Sequence, residues 1–198
     1  MGLVEEKHII YGNSLTPGND LWYVGARTGR DGIDGSKLAS GVLSGHEGKE
    51  AIQKGDPFLE KLLIDAWMDL VPTGYIEGSQ DFGAAGLLCS TTEVAHRGFL
   101  RTGLPVGSKI YLDRVPTKED NMSPTELLLS ESQERMLLVG KRGVRNKISS
   151  VFGKWDLEAV IIGEVTNDGN YTLIFNEEGH QKILVMENEE ICGDVALY

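Results

Sequence analysis

The sequence AVIIGEVTNDGNYTLIF, residues 159–175, decides the fold class. Two runs rich in β-branched residues, Ala159–Thr166 and Tyr171–Phe175, flank the dipeptide Asp168-Gly169, which is typical of a tight β-hairpin turn. Elsewhere along the chain, helical and extended patterns alternate. An antiparallel hairpin within such an alternation favours an α+β fold. We therefore predict a mixed sheet with helices packed on it.

Upstream of this stretch, two helix starts carry strong signals. Asp56-Pro57 offers an N-cap carboxylate followed by proline at the first helical position, and apolar residues recur at helical spacing from Phe58 to Leu70. Ser123-Pro124-Thr125-Glu126 has the pattern of a capping box. A second amphipathic helix is predicted after Gly83, and a third from Val144 to Trp155.

Further strands are predicted at Leu21–Ala26, Lys109–Val115, Arg135–Val139 and Lys182–Met186. Residues 1–20 are rich in turn-forming residues, and we interpret them as a linker or boundary segment. Residues 21–198 then form one domain, a size that suits a single hydrophobic core.

Composition excludes several classes of function. The net charge of −11 argues against nucleic-acid binding and against docking on an anionic membrane, because both depend on lysine and arginine. The N-terminus has no signal-peptide pattern, and the two cysteines, Cys89 and Cys192, form no metal-binding pair. We therefore expect a cytoplasmic protein with free thiols that binds neither nucleic acid nor membrane.

Two glycine-rich segments are candidate binding loops. In residues 25–33, Arg27 and Arg30 are candidate anion contacts. The alternative, which composition alone favours, is a surface loop with solvated charges. In residues 80–87, Asp81 is a hard oxygen ligand suited to Mg²⁺. Gly83 and Gly86 are candidate phosphate contacts through exposed N–H groups near a helix N-terminus. The alternative for the second segment is close helix packing that needs small residues.

Two further segments place polar groups at element boundaries. Gln53 precedes a helix N-terminus and offers both donors and an acceptor, but taken alone it is explained by the helix start. Glu131, Ser132 and Gln133 lie between a short helix and a buried strand, where side chains can point into a cleft or into solvent. The four histidines are scattered and show no metal-ligand spacing.

Taken in order, four blocks resemble the synthetase subunit of the phosphoribosylformylglycinamidine synthase family. The blocks are YVGARTGRDGI (23–33), GDPFLEKLL (55–63), QDFGAAGL (80–87) and LSESQERML (129–137). The resemblance extends from about Leu21 to Asp168. It implies a domain similar to the C-terminal domain of aminoimidazole ribonucleotide synthetase, an α+β sandwich that is partly ferredoxin-like.

The resemblance also implies an activity. The family is an ATP-dependent ligase of purine biosynthesis that converts formylglycinamide ribonucleotide to its amidine with ammonia drawn from glutamine. ATP activates the amide oxygen as a phosphate ester, which ammonia then displaces. The implied partners are the remainder of the synthetase chain, a glutaminase subunit and a small accessory subunit, where these are not fused.

By position, the resemblance assigns substrate contacts to Gln53, Glu131, Ser132 and Gln133, and an Mg²⁺ contact to Asp81. Asp34 departs from the family, which usually has histidine there, and the stretch from Arg97 to Lys109 is longer than usual. The family's catalytic histidine and main ATP-binding groups are N-terminal to anything in this sequence. The resemblance therefore assigns no catalytic residue here, and we expect the isolated chain to be inactive.

Alternatives remain open. A related synthetase of the same fold is one, a non-catalytic scaffold for a glutaminase partner is another, and a fragment too incomplete to bind any ligand is a third. The interpretation as a substrate-binding domain requires that Gln53, Asp81 and residues 131–133 line one cleft at the edge of the sheet.

Overall fold

The protein is described by a computed structural model that covers residues 3–33 and 55–192. Within these residues, seven strands occur in chain order: β1 Asp20–Gly25, β2 Ile76–Asp81, β3 Gly107–Tyr111, β4 Arg135–Gly140, β5 Ala159–Thr166, β6 Asn170–Glu177 and β7 His180–Glu187. The same ranges contain five helices: α1 Pro57–Leu70, α2 Gly86–Thr102, α3 Pro124–Leu129, α4 Arg145–Lys154 and α5 Asn188–Cys192. Short 3-10 turns lie at Glu6–His8, Val71–Thr73 and Leu112–Arg114.

The strands form one sheet in the order β2-β4-β1-β5-β3-β6-β7. Strands β3 and β6 are parallel, and every other neighbouring pair is antiparallel. The prediction of an α+β fold with a mixed sheet is confirmed.

Strand β1 is buried on both of its faces and divides the core in two. Leu21 and Tyr23 point to one face of the sheet and Trp22 and Val24 to the other, as the period of two in a strand requires. On the first face, β1 packs with apolar residues of α2, including Leu87. On the second face, it packs with apolar residues of α1 and α4. The sheet is therefore the middle of three layers.

The predicted hairpin between residues 159–166 and 171–175 is wrong in its pairing. The turn is present, because Gly169 has φ +73° and Asp168 Oδ1 accepts hydrogen bonds from Thr166 Oγ1 and the Asn170 amide. Strand β3, however, lies between β5 and β6 and pairs with both. A turn signal is local, whereas the strand that enters between its two arms comes from more than 50 residues upstream, so the local pattern could not reveal it.

Gly107, the first residue of β3, is what allows the β5–β6 turn to close over the end of that strand. A Cβ at this position would lie 2.3 Å from the Asn170 carbonyl oxygen and 2.5 Å from Thr166 Oγ1. The contact is with backbone as well as side chain, so it has little freedom to relax. Glycine at residue 107 is thus a steric requirement of the strand order.

Both predicted helix starts are confirmed. Asp56 Oδ1 accepts from the amides of Phe58 and Leu59, each at 3.1 Å. Ser123 and Glu126 form the reciprocal hydrogen bonds of a capping box. Phe58, which the helical spacing placed on the buried face, is instead 73% exposed.

Residues 11–19 pack closely on the domain. The Ser79 amide donates to the Tyr11 carbonyl, and the Ser14 amide donates to the Val94 carbonyl. Gly78 and Gly98 make room for this segment, because a Cβ on either one would meet a backbone oxygen of Asn13 or Ser14 at 1.9 Å. Part of the stretch interpreted as a linker is therefore integral to the fold.

The two edges of the sheet differ. Strand β2 forms one edge, and its last residue, Asp81, is exposed. Strand β7 forms the other edge, with Ile183, Leu184 and Val185 between 46% and 62% exposed. The tight hairpin of this chain is β6–β7, whose turn contains Glu178 and Gly179 at positive φ. Among the described residues, no helix is both long enough and apolar enough to span a bilayer.

Replacing Gly107 with alanine should lower the free energy of unfolding by about 1–3 kcal/mol, because the added methyl group overlaps the β5–β6 turn. Chemical denaturation followed by circular dichroism measures the change. Gly153→Ala is the matched control: no atom lies within 4 Å of its added Cβ, and alanine favours the helix at this position in α4. A Gly107→Ala variant as stable as Gly153→Ala would contradict the steric requirement.

Candidate functional site

The segment from Ser130 to Arg135, which joins α3 to β4, is fixed by the buried guanidinium of Arg135. Its Nε donates to the Ser132 carbonyl at 2.6 Å, its Nη2 to the Ser130 carbonyl at 2.6 Å, and its Nη1 to Thr28 Oγ1 at 3.1 Å. Phe82 lies under the guanidinium at 5.1 Å. Burial lowers the pKa of Arg135, and the ring of acceptors compensates for the lost hydration.

The glycine-rich loop at residues 27–33 is held by the same segment. Ser130 Oγ donates to the Gly29 carbonyl at 2.6 Å, and Ser132 Oγ accepts from the Gly29 amide at 2.9 Å. Ser132 Oγ also donates to Asp31 Oδ2 at 2.6 Å. Burial opposes ionisation of Asp31, but hydrogen bonds from Ser132 and Lys118 outweigh it and lower the pKa of this carboxyl group. Ser132 is 1% exposed and thus orders the loop from within.

Glu131 connects the segment to the start of α2. It is 6% exposed, and its Oε1 accepts from the Ala85 amide at 3.1 Å. The N-terminal end of α2 therefore already has a carboxylate of the protein on it. Gly86 is buried here, its amide donates to the Gly83 carbonyl, and a Cβ would lie 2.0 Å from the Ser130 carbonyl oxygen. Of the two roles considered for Gly86, the structure favours close helix packing over an exposed N–H group for a phosphate.

Glu134 connects the sequence blocks at residues 55–63 and 23–33. Its backbone is left-handed, with φ +56°. Its carboxylate Oε1 accepts from the Asp56 amide at 3.0 Å, and its carbonyl accepts from the Ala26 amide at 2.9 Å. Gly25 makes this approach possible, because a Cβ there would lie 2.2 Å from the Glu134 carbonyl oxygen. A left-handed glutamate is uncommon, and such conformations cluster at functional sites.

Beside this segment lies a half-open cleft of about 440 Å³, between the β2 edge of the sheet and α1. Its volume is in the range of pockets for small molecules. The polar lining is formed by Glu60, Asp81, Gly83, Gln133, Glu134 and Arg135. The apolar lining is formed by Val24, Leu63, Ile64, Trp67, Met68, Phe82, Met136 and Phe152. The lining thus combines apolar side chains with three carboxylates, an amide and one guanidinium.

Asp81 has the chemistry expected of a ligand for Mg²⁺. It is exposed at the end of β2, and its Oδ1 accepts from Gln80 Nε2 at 3.2 Å. Within residues 3–33 and 55–192, no group of three or more acidic, histidine or cysteine side chains is placed to hold a metal. Mg²⁺ is commonly held by one or two carboxylates, with phosphate oxygens and water as further ligands. Asp81 therefore suits an ion that arrives with a phosphorylated ligand.

The two arginines predicted as anion contacts are both paired with carboxylates. Arg27 forms a two-point ion pair with Glu158, at 2.8 and 3.2 Å. Arg30 pairs with Glu119 at 2.6 Å and with Glu126 at 2.7 Å. The hydrogen bond from Arg30, with that from the Ser123 amide, lowers the pKa of Glu126 to about 2. Both guanidinium groups thus hold the loop to its neighbours.

The structure brings part of the predicted site together. Asp81, Gly83 and Gln133 line the cleft, whereas Glu131 and Ser132 are buried beside it and Gly86 is buried under α3. Gln53 and Asp34 lie outside the described residues. Sequence reasoning missed Glu134, Arg135 and Trp67 as cleft residues. The position of Arg135 at the start of a predicted apolar strand was a usable signal, because an arginine is almost never buried without partners.

Replacing Arg135 with lysine should lower the free energy of unfolding by about 2–3 kcal/mol. Lysine keeps the charge but cannot reach two carbonyls and a hydroxyl from one planar fork. Urea denaturation measures the change. Arg27→Lys is the matched control: its side chain is 59% exposed, so a loss within about 1 kcal/mol is expected. Equal losses in the two variants would show that the Arg135 fork has no special role.

Comparison with known proteins gives the context of this cleft. The family described as AIR synthase related protein, C-terminal domain, matches residues 16–176. The phosphoribosylformylglycinamidine synthase subunit PurL of Campylobacter hominis is 47% identical over 178 residues, which cover 88% of this chain and 23% of that protein. The chain thus spans about a quarter of the length of the curated relatives it matches.

Solved structures agree. Thermotoga maritima PurL complexed with FGAR matches with a TM-score of 0.83 and 33% identity, over 98% of this chain and 31% of that one. The same protein complexed with ATP matches with a TM-score of 0.76 and 32% identity, over 94% of this chain and 27% of that one. The structure of PurLQS from that organism also matches with a TM-score of 0.76 and 32% identity, over 94% and 28% of the two chains.

These matches confirm the resemblance drawn from the four sequence blocks and the fold that it implied. Because the family match covers most of its length, the chain belongs to the AIR synthase related proteins and carries their C-terminal domain.

Proposed function

We propose that this domain binds formylglycinamide ribonucleotide for an ATP-dependent ligase that makes its amidine from glutamine-derived ammonia in purine biosynthesis. The observation that carries the proposal is the cleft, where Asp81, Gly83 and Gln133 meet around one opening. Relatives named phosphoribosylformylglycinamidine synthase subunit PurL align with 88–90% of this chain. A similar PurL structure is described as complexed with FGAR.

The chemistry of the cleft suits the polar, uncharged part of such a substrate. Gln133 and Glu134 line it with an amide and a carboxylate, which can hydrogen-bond to ribose hydroxyls and to the amide group of the ligand. Trp67, Met68 and Leu63 offer an apolar wall opposite them. Glu131 and Ser132 support this lining indirectly, since they fix α2 and the glycine-rich loop beside it.

The phosphate of the ligand needs a cation, because Glu60, Asp81 and Glu134 make the cleft predominantly negative. Arg135 uses its fork on protein acceptors, so it offers little to a phosphate. Mg²⁺ held by Asp81 would neutralise phosphate oxygens when bound there. Asp81 is therefore the residue that links substrate binding to the metal.

The remaining parts of the reaction belong to partners in this proposal. The rest of a longer synthetase chain supplies the catalytic histidine and most of the ATP site, and a glutaminase with a small accessory subunit supplies ammonia. The alternative, a non-catalytic scaffold for the glutaminase, does not account for an open cleft with an apolar wall and an exposed carboxylate.

Titration of the chain with formylglycinamide ribonucleotide tests the proposal. Binding should be measurable by calorimetry and should quench the fluorescence of Trp67, which lines the cleft. Mg²⁺ should tighten binding, and Asp81→Asn should remove that increment, roughly tenfold, while leaving the binding measured without Mg²⁺ in place. Absence of heat under both conditions would favour the scaffold alternative.

Asp156→Asn is the matched control for the loss of one carboxylate. Asp156 is exposed, does not line the cleft and has φ +55°, a conformation that asparagine tolerates well. The increment from Mg²⁺ should survive in this variant. Trp67→Phe should abolish the fluorescence change but keep the heat of binding, which separates the optical signal from binding itself.

The 198-residue chain alone should bind substrate without turning it over. With ATP, Mg²⁺ and ammonium chloride present, we expect no formation of the amidine and no hydrolysis of ATP above background, as measured by coupled detection of ADP. Amidine formation by this polypeptide alone would contradict the assignment of catalysis to the rest of the enzyme.

A further inference from the structure

A second pocket lies on the opposite part of the molecule, between the end of α2, the β5–β6 turn and the start of α5. It has a volume of about 270 Å³ and shares no lining residue with the cleft. We name it the His96 pocket, after the side chain in its wall, with Asp168, Glu187 and Glu189 around it. The strand order creates it, because the β5–β6 turn is displaced over the end of β3.

His96 is 7% exposed and lines this pocket. Across the described ranges it has no hydrogen-bond partner, and the contact it makes is with the Phe99 ring at 6.5 Å between centroids. Its ring nitrogens are not sealed from the pocket. A polar side chain buried to this extent is normally hydrogen-bonded, so the His96 ring is available to a ligand that enters the pocket.

Apart from the amide groups of Asn170 and Asn188, the other polar side chains of the pocket are carboxylates. Glu187 and Glu189 make no ion pair with any described residue, and both lie at the lining. Asp168 adds a third carboxylate, although one of its oxygens already accepts from Thr166 and Asn170. The side-chain oxygen of Asn188 in the same wall is buried without a donor. The pocket is thus negative and short of hydrogen-bond donors.

The rest of the lining is apolar and is formed by Phe99, Pro105 and Val106. A ligand with a positively charged, multiply donating head and a short carbon stem fits both halves of this lining. Metal-ion ligation is less suited, since the described residues contain no cluster of three ligands placed for it. An ammonium group instead offers three donors, which it can share among a carboxylate, an imidazole nitrogen and water.

We propose that the His96 pocket binds a primary alkylamine, with its ammonium group in the acidic part of the lining beside His96 and its carbon stem against Phe99 and Val106. The amine has two sources with one chemistry: a free small amine, or a lysine side chain presented by a polypeptide. The proposal is independent of substrate binding in the cleft, so either can fail while the other stands.

Two-dimensional NMR of the full chain, titrated with n-butylammonium chloride at low salt, tests the proposal. Shifts should be confined to His96, Phe99 and residues 168–170 and 187–189. Butan-1-ol and sodium butyrate, which have the same stem without the positive charge, should produce no such shifts. A second arm uses Nα-acetyl-lysine amide: tighter binding than n-butylammonium indicates a lysine side chain as the source, and weaker binding indicates a free amine.

Glu187→Gln and Glu189→Gln should each weaken n-butylammonium binding about twofold to fivefold, and the double variant about tenfold. Glu190→Gln is the matched control, because Glu190 follows Glu189 on α5 but does not line the pocket. His96→Phe should also weaken binding, and if that variant does not fold, the surface pair of glutamates still decides the question.

Three results would overturn the proposal: no localised shift with either amine, equal shifts with butan-1-ol, or equal affinity in the double variant and in Glu190→Gln. The second would show a plain apolar pocket, and the third a diffuse attraction to an acidic protein.

Discussion

The buried fork of Arg135 is the interaction on which the arrangement of the site depends. It fixes Ser130 and Ser132 through their carbonyls and Thr28 through its hydroxyl. Those serines in turn hold Gly29 and Asp31, while Glu131 and Glu134 of the same segment hold α2 and α1 at their N-terminal ends. Four stretches that lie far apart in the sequence thus share one short segment, and the cleft is the space that they leave open.

The same arrangement explains why several polar residues of the site are engaged within the protein. Glu131 accepts a hydrogen bond from the Ala85 amide at the start of α2, and Arg30 joins the loop to Glu119 and Glu126. Each interaction satisfies a charge or a donor within the protein. The cleft is therefore bounded by a network whose members hold one another in place, and Asp81, Gly83 and Gln133 are the described predicted contacts that line it.

Local patterns predicted local features well. The capping box at Ser123, the Asp56 cap and the strands β1 and β4 all depend on residues that are close in sequence, and all are observed. The pairing of β5 with β6 was missed because β3 enters from a distant part of the chain. The exposure of Phe58 was not predicted, because periodicity identifies the apolar face of a helix but not where the elements packed against that face end. At the site, the sequence indicated which segments matter but not which side chains point inward.

The sheet ends in two very different borders. At β2 the last residue faces a cleft, and the Tyr11 carbonyl accepts a hydrogen bond from the Ser79 amide of the strand. At β7 an eight-residue border presents Ile183, Leu184 and Val185 without a covering element among the described residues. An open strand of this kind is a template for another strand, and natural proteins usually guard it with charge or cover. Any self-association of this domain by strand pairing is therefore expected at β7, which is at the opposite edge of the sheet from the cleft.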